Sequence, residues 1–139
     1  MLHEIDEIGV YCGPSALIAV TGKRLPEVRA AINKARGKPA HTGVCGLSRN
    51  YLLQAIKELG KSYYVVPVEF LPADSQTLEK LVKNKNWCLP FLTYIVNITG
   101  HYVAVHDGKV MDNRIRFGCP VEEHPSRRKK VKALIMVKG

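Results

Sequence analysis

Between Ala16 and Val20 every side chain is apolar, so a helix built from this stretch has no face to give to water. The rest of the chain therefore has to surround it. Pro14 suits the first turn of such a helix, because its ring fixes φ and its missing amide N–H is not needed there. Gly22, after Thr21, can take the left-handed conformation that closes the other end. Cys12 then stands at the entrance of the helix. Unpaired amides and the macrodipole favour an anion at that point and lower a thiol pKa. The competing account of Cys12 is a small buried residue beside a turn, the usual fate of a free cysteine.

A chain of 139 residues fits one domain, 1–139, and can bury a core without metal or disulfide staples. It contains no apolar run of membrane-spanning length, and no charged-then-apolar leader precedes Cys12. The expectation is a cytoplasmic protein with no membrane association. Cys12, Cys45, Cys88 and Cys119 are widely spaced without a C-x-x-C pair, which suggests free thiols in a reducing compartment. Six of the nine net positive charges come from Arg127, Arg128, Lys129, Lys130, Lys132 and Lys138, in a segment without a single acid. Such a cluster can engage nucleic acid or an acidic protein partner. It can equally be a solvated strand margin, which is favoured here because no aromatic residues are interleaved.

Periodicity places helices in the first half and strands in the second. Leu25-Pro26-Glu27 opens a second helix with Val28, Ala31, Ile32 and Ala35 on one stripe, stopped by Gly37-Lys38-Pro39. Ser48 is a plausible N-cap for a third helix carrying Leu52, Ala55, Ile56 and Leu59. Residues 62–68 read as a strand, and Leu78, Leu81 and Val82 mark a short fourth helix. The nearly continuous apolar run from Trp87 to Ile98 reads as a strand covered on both sides, with Pro90 at its start or at a bulge. Residues 116–125 read as irregular, and Val131–Val137 as a last strand. The fold class expected is α+β, with N-terminal helices packed against a C-terminal antiparallel β-sheet.

The hairpin between these strands singles out a pair of polar residues. Asp107-Gly108 is a favoured two-residue turn, so His106 pairs with Lys109, Val105 with Val110, and Val103 with Asp112. Alternation then puts His101, Val103 and Val105 on the same face as Val110 and Asp112. Asp112 becomes the diagonal neighbour of His101, about 7–8 Å away along the backbone and within reach of its side chain. A carboxylate there can hold one ring nitrogen and leave the other free, the orienting role in a nucleophile–base–orienter set. This placement requires the two-residue loop, since one more residue would turn Asp112 to the other face.

Tyr11-Cys12-Gly13-Pro14-Ser15-Ala16, Gly100-His101-Tyr102-Val103-Ala104-Val105 and Gly108-Lys109-Val110-Met111-Asp112 together resemble a papain-like cysteine peptidase. The chain is most similar to short bacterial and phage-type proteins of the C39 peptidase family. The resemblance implies a papain-like fold, a thiol hydrolase acting on a peptide or protein substrate, and no cofactor or metal. It implies Cys12 as nucleophile, His101 as general base and acid, and Asp112 as the group that orients His101. Such families place a glutamine six residues ahead of the cysteine to stabilise the oxyanion, and here that position is Asp6. An ionised aspartate would repel the oxyanion, so the expected donor is the backbone N–H of Cys12 or Gly13, a protonated Asp6, or a different side chain entering the site.

Three other readings compete with the peptidase. The first is a papain-like scaffold with little catalysis that serves as a binding or regulatory module through its basic C-terminal strand. The second is an amidase or acyl transferase using the same constellation. The third is a zinc site from His41, Cys45, Cys119 and His124, whose spacings fit no familiar finger.

Overall fold

The computed structural model describes residues 1–139, with four α-helices and one six-stranded antiparallel sheet. The helices are α1 (Cys12–Thr21), α2 (Leu25–Arg36), α3 (Arg49–Glu58) and α4 (Leu78–Lys83). The strands are β1 (Ser62–Pro67), β2 (Thr93–Ile98), β3 (His101–His106), β4 (Lys109–Met111), β5 (Cys119–Pro120) and β6 (Val131–Lys138). Their order across the sheet is β1-β6-β2-β3-β4-β5, so β6 lies between the first and second strands to be made. The α+β expectation holds. No helix is long and apolar enough to cross a membrane.

Every residue of α1 from Gly13 to Thr21 is buried, as its unbroken apolar sequence requires. Leu17 is fully buried, and a side chain of that size contributes about 1.5–3 kcal/mol by leaving water. The helix ends at Gly22, whose positive φ of 73° lets its N–H donate to the Ile18 carbonyl. Around α1, α2 and α3 bury Val28, Ile32, Leu52 and Ile56 against one face of the sheet, represented by Ile95, Tyr102, Ala104 and Ile135. The N-terminal segment, loop-like as expected, adds Leu2 and Ile5 to this core.

The opposite face of the sheet has a core of its own. Leu78, Leu81 and Val82 of α4, with Cys88 and Val121 from the connections, cover Tyr94, Val96, Val103, Val105 and Val110. Alternation along β3 thus sends Tyr102 and Ala104 to the helical layer and Val103 and Val105 to the other. A sheet covered on both sides explains why β2 and β3 read as continuous apolar runs.

Two boundaries and one cap differ from the sequence expectation. The strand read as Trp87–Ile98 begins only at Thr93. Before it the chain turns, with Trp87 and Cys88 amides donating to the Asn84 carbonyl and Leu92 to that of Leu89. Asn84 anchors these turns through its own side chain, which accepts from the Asn86 amide and donates to Ser75 Oγ. The segment read as irregular contains the two-residue strand β5, which pairs with Lys109 and Val110. Ser48 does occupy the N-cap of α3, but its hydroxyl makes no capping hydrogen bond.

The turn that sets the hairpin register is the two-residue form. Asp107 and Gly108 both have positive φ, 49° and 77°. Such a turn matches the twist of its flanking strands. Ala104 pairs with Met111, Val105 with Val110 and His106 with Lys109. The ladder stops there, one residue short of Asp112.

Candidate active site

Cys12 is the first residue of α1, after an extended Tyr11. Its position depends on a close approach of the 38–48 loop. A Cβ on Gly13 would lie 2.8 Å from Leu47 Cδ2, so a larger residue there would have to push the Leu47 side chain away from the helix mouth. The Tyr102 hydroxyl ties the same loop to β3 by donating to the Leu47 carbonyl at 2.9 Å. Helix, loop and strand thus converge beside the sulfur.

His101 stands at the start of β3, with a side chain 18% exposed. Its Nε2 donates to Asp112 Oδ2 at 2.9 Å, which leaves Nδ1 for Cys12. Asp112 is held from its other side by the backbone. Its Oδ1 accepts the amides of Arg114 at 3.0 Å and Ile115 at 2.8 Å, an arrangement that ends β4 and folds the chain back over the carboxylate. A second imidazole, His124, donates from Nε2 to the same Oδ2 at 3.0 Å. All four acceptor positions of the carboxylate are filled. These groups line one cleft of about 310 Å³ together with Tyr11, Arg114, Ser126 and Lys129.

The electrostatics follow from this geometry. Burial alone would raise the Cys12 pKa, but the His101 imidazole and the Tyr102 and Gly13 amides overcome it, and the thiol is lowered from its ordinary value of 9.0. Burial alone would lower His101, but the Asp112 carboxylate and Cys12 raise it to about 9. Each member of the pair thus favours the charged form of the other, the thiolate for Cys12 and the imidazolium for His101. Burial opposes charge on Asp112 as well, yet the two imidazoles and two amides hold it far below the usual carboxylate range.

Of the residues named from sequence, Cys12, Gly13, His101 and Asp112 come together here. Asp6 does not. It is exposed, does not line the cleft, and meets the neighbourhood only through its backbone carbonyl, which accepts from Arg116 Nη1 at 3.2 Å. No carboxylate at that position repels charge developing in the cleft. Lys129 of the basic segment lines the cleft, whereas Lys132 and Lys138 are exposed on β6.

The proposed zinc set is not assembled. His41 and Cys45 are exposed, His124 is buried against Asp112, and no group of three or more His, Cys, Asp or Glu side chains has the geometry for a metal ion. His124, which the sequence offered only within that alternative set, is the site residue that sequence reasoning missed. It lies in an irregular segment before Pro125, where no period ties it to another element. All four cysteines are free.

No family model, curated protein or solved structure matches this chain. The fold and site therefore define a class by their own geometry: an α+β domain with a helix-tip cysteine beside a histidine bound to a buried aspartate.

Proposed function

We propose that this chain is a papain-like cysteine peptidase or amidase that cleaves a peptide or amide bond through Cys12, His101 and Asp112. The observation that carries the reading is the His101–Asp112 bond of 2.9 Å beside a thiol whose pKa is lowered although it is partly buried. An idle thiol in such surroundings is expected to be raised.

In this reaction the Cys12 thiolate attacks the substrate carbonyl carbon, and the displaced π pair moves to oxygen. The amides of Cys12 and Gly13, at the start of α1, are the donors available to that oxyanion, that of Gly13 turning to it as the sulfur gives up its charge. As the C=O bond re-forms, the C–N bond breaks and the amine leaves with the proton from His101 Nδ1. Neutral His101 then takes a proton from water, whose oxygen attacks the thioester. Collapse releases the acid and returns the thiolate, with the proton retained on His101. Asp112 keeps the ring oriented throughout.

The test is treatment of the folded protein with iodoacetamide followed by mapping of the modified thiols. Cys12 is expected to react well ahead of the exposed Cys45 and the buried Cys88, and His101→Ala is expected to remove that preference. Equal modification of all four cysteines would overturn the assignment. Digestion of a peptide library by wild type but not by Cys12→Ala extends the test to catalysis. Salt-sensitive binding of a polyanion without selective Cys12 modification is the outcome expected of the basic binding module instead.

A further inference from the structure

His124 is only 1% exposed, yet both of its ring nitrogens are satisfied. Nδ1 accepts the Ser126 amide at 3.0 Å. An amide N–H can only donate, so Nδ1 carries no proton, and the ring proton sits on Nε2 and points at Asp112 Oδ2. The backbone around it is pinned as well. The His124 amide donates to the Val121 carbonyl, and the His124 carbonyl accepts from the Arg127 amide and side chain. The ring is thus a fixed donor with one available target.

We propose that His124 is a positioning residue, a fourth member of the network that locks the Asp112 carboxylate so that His101 keeps its Nδ1 on Cys12. The proposal rests on the peptidase reading of Cys12, His101 and Asp112. A histidine that merely filled space would find backbone partners for both nitrogens. This one bonds the very oxygen that His101 uses. The two backbone amides hold Oδ1, but a carboxylate pinned at one oxygen still pivots about its Cβ–Cγ bond. Two imidazoles converging on Oδ2 remove that freedom. Without His124, Oδ2 keeps one partner and an open lone pair in a cleft that admits water.

Other charged groups near the network are left unchanged when His124 is replaced. Cys12 faces His101 from α1, Arg114 and Lys129 line the cleft, and Cys119, flanked by Glu122 and Glu123, senses Asp112 from β5. A change in Cys12 reactivity on replacing His124 therefore reports the Asp112–His101 link.

The test compares His124→Phe, which keeps ring volume but has no donor, with His124→Gln, which retains one. Cys12 modification by iodoacetamide is measured at about pH 6, where a thiol of ordinary pKa is protonated, and at about pH 10, where such a thiol is ionised without a partner. The Phe variant is expected to react about 10-fold to 100-fold more slowly than wild type at the lower pH, the usual cost of losing a partner that orients a functional side chain. At the higher pH its rate is expected to match wild type, and Gln is expected to restore much of the loss. Equal rates for wild type and Phe at both values would overturn the proposal. If His101→Ala slows the reaction and His124→Phe does not, this inference alone fails; if wild-type Cys12 shows no selectivity, the peptidase reading fails first. Imidazole ¹⁵N NMR of the wild-type protein gives an answer that does not depend on any variant folding. It should find His124 protonated on Nε2 alone, and a proton on Nδ1 would overturn the assignment.

Discussion

Cys12 and Cys88 lie on opposite sides of the sheet, the first at the helical layer and the second in the core under α4. Burial acts on both thiols in the same direction. At Cys88 nothing opposes it, and the pKa is pushed up to about 12. At Cys12 an imidazole and two amides reverse the sign. The contrast teaches that the acidity of a thiol here is set by the groups aimed at it, and a helix start is only one of the places where such groups converge.

The comparison can be broken most directly at His101. His101→Ala is expected to make Cys12 behave more like Cys88, slowing its modification at neutral pH by about 10²–10⁴-fold, as rates with iodoacetamide will show. Asp112→Ala strips two amides and two imidazoles of their acceptor, and is expected to cost about 3–5 kcal/mol in urea unfolding, the range for removing one partner of a buried charged network. A smaller loss is expected for Gly13→Ala, about 1–3 kcal/mol with slower Cys12 modification, because the added methyl displaces Leu47.

Stability should also follow pH, in opposite senses for His101 and Asp112. His101 is raised to about 9 from 6.5 in the unfolded chain, so its contribution is complete below about 6.5 and is lost as pH rises through about 9. The Asp112 contribution has the opposite sense. It is present above the unfolded value of 3.8 and is lost as pH falls toward the depressed folded value. Unfolding curves of wild type and His101→Ala should therefore draw closer above about pH 9, and a gap unchanged across that range would contradict the assignment. The smallest effect is expected at Ser48. Because its hydroxyl caps nothing, Ser48→Ala should change stability by less than the ~1 kcal/mol of an ordinary N-cap.

The parts of the site that were legible in the sequence are those governed by a local rule. An all-apolar stretch after Pro14 fixes an interior helix, and Cys12 must then occupy its tip. Asp107-Gly108 fixes the pairing of β3 with β4, and the alternation set by that pairing points His101 and Asp112 to one face although the ladder itself ends at Met111. The role of His124 was not legible, because its partner is brought to it by a turn with no repeating pattern. Nor was the grip of the Arg114 and Ile115 amides on Oδ1, which depends on where β4 stops. The start of β2 was misread for a related reason: an apolar run reports burial, and Trp87 and Leu92 pack partly buried against the α4-side core from turns as well as a strand would.

The position of β6 has a consequence for how the molecule comes into being. It is the latest of the six strands to emerge during synthesis, yet it joins β1 to β2 through twelve paired positions. Until it is threaded between them, β1 on one side and the β2–β5 ribbon on the other have no shared ladder. The sheet that carries His101 therefore becomes one layer only when the strand latest in the chain is paired on both of its edges.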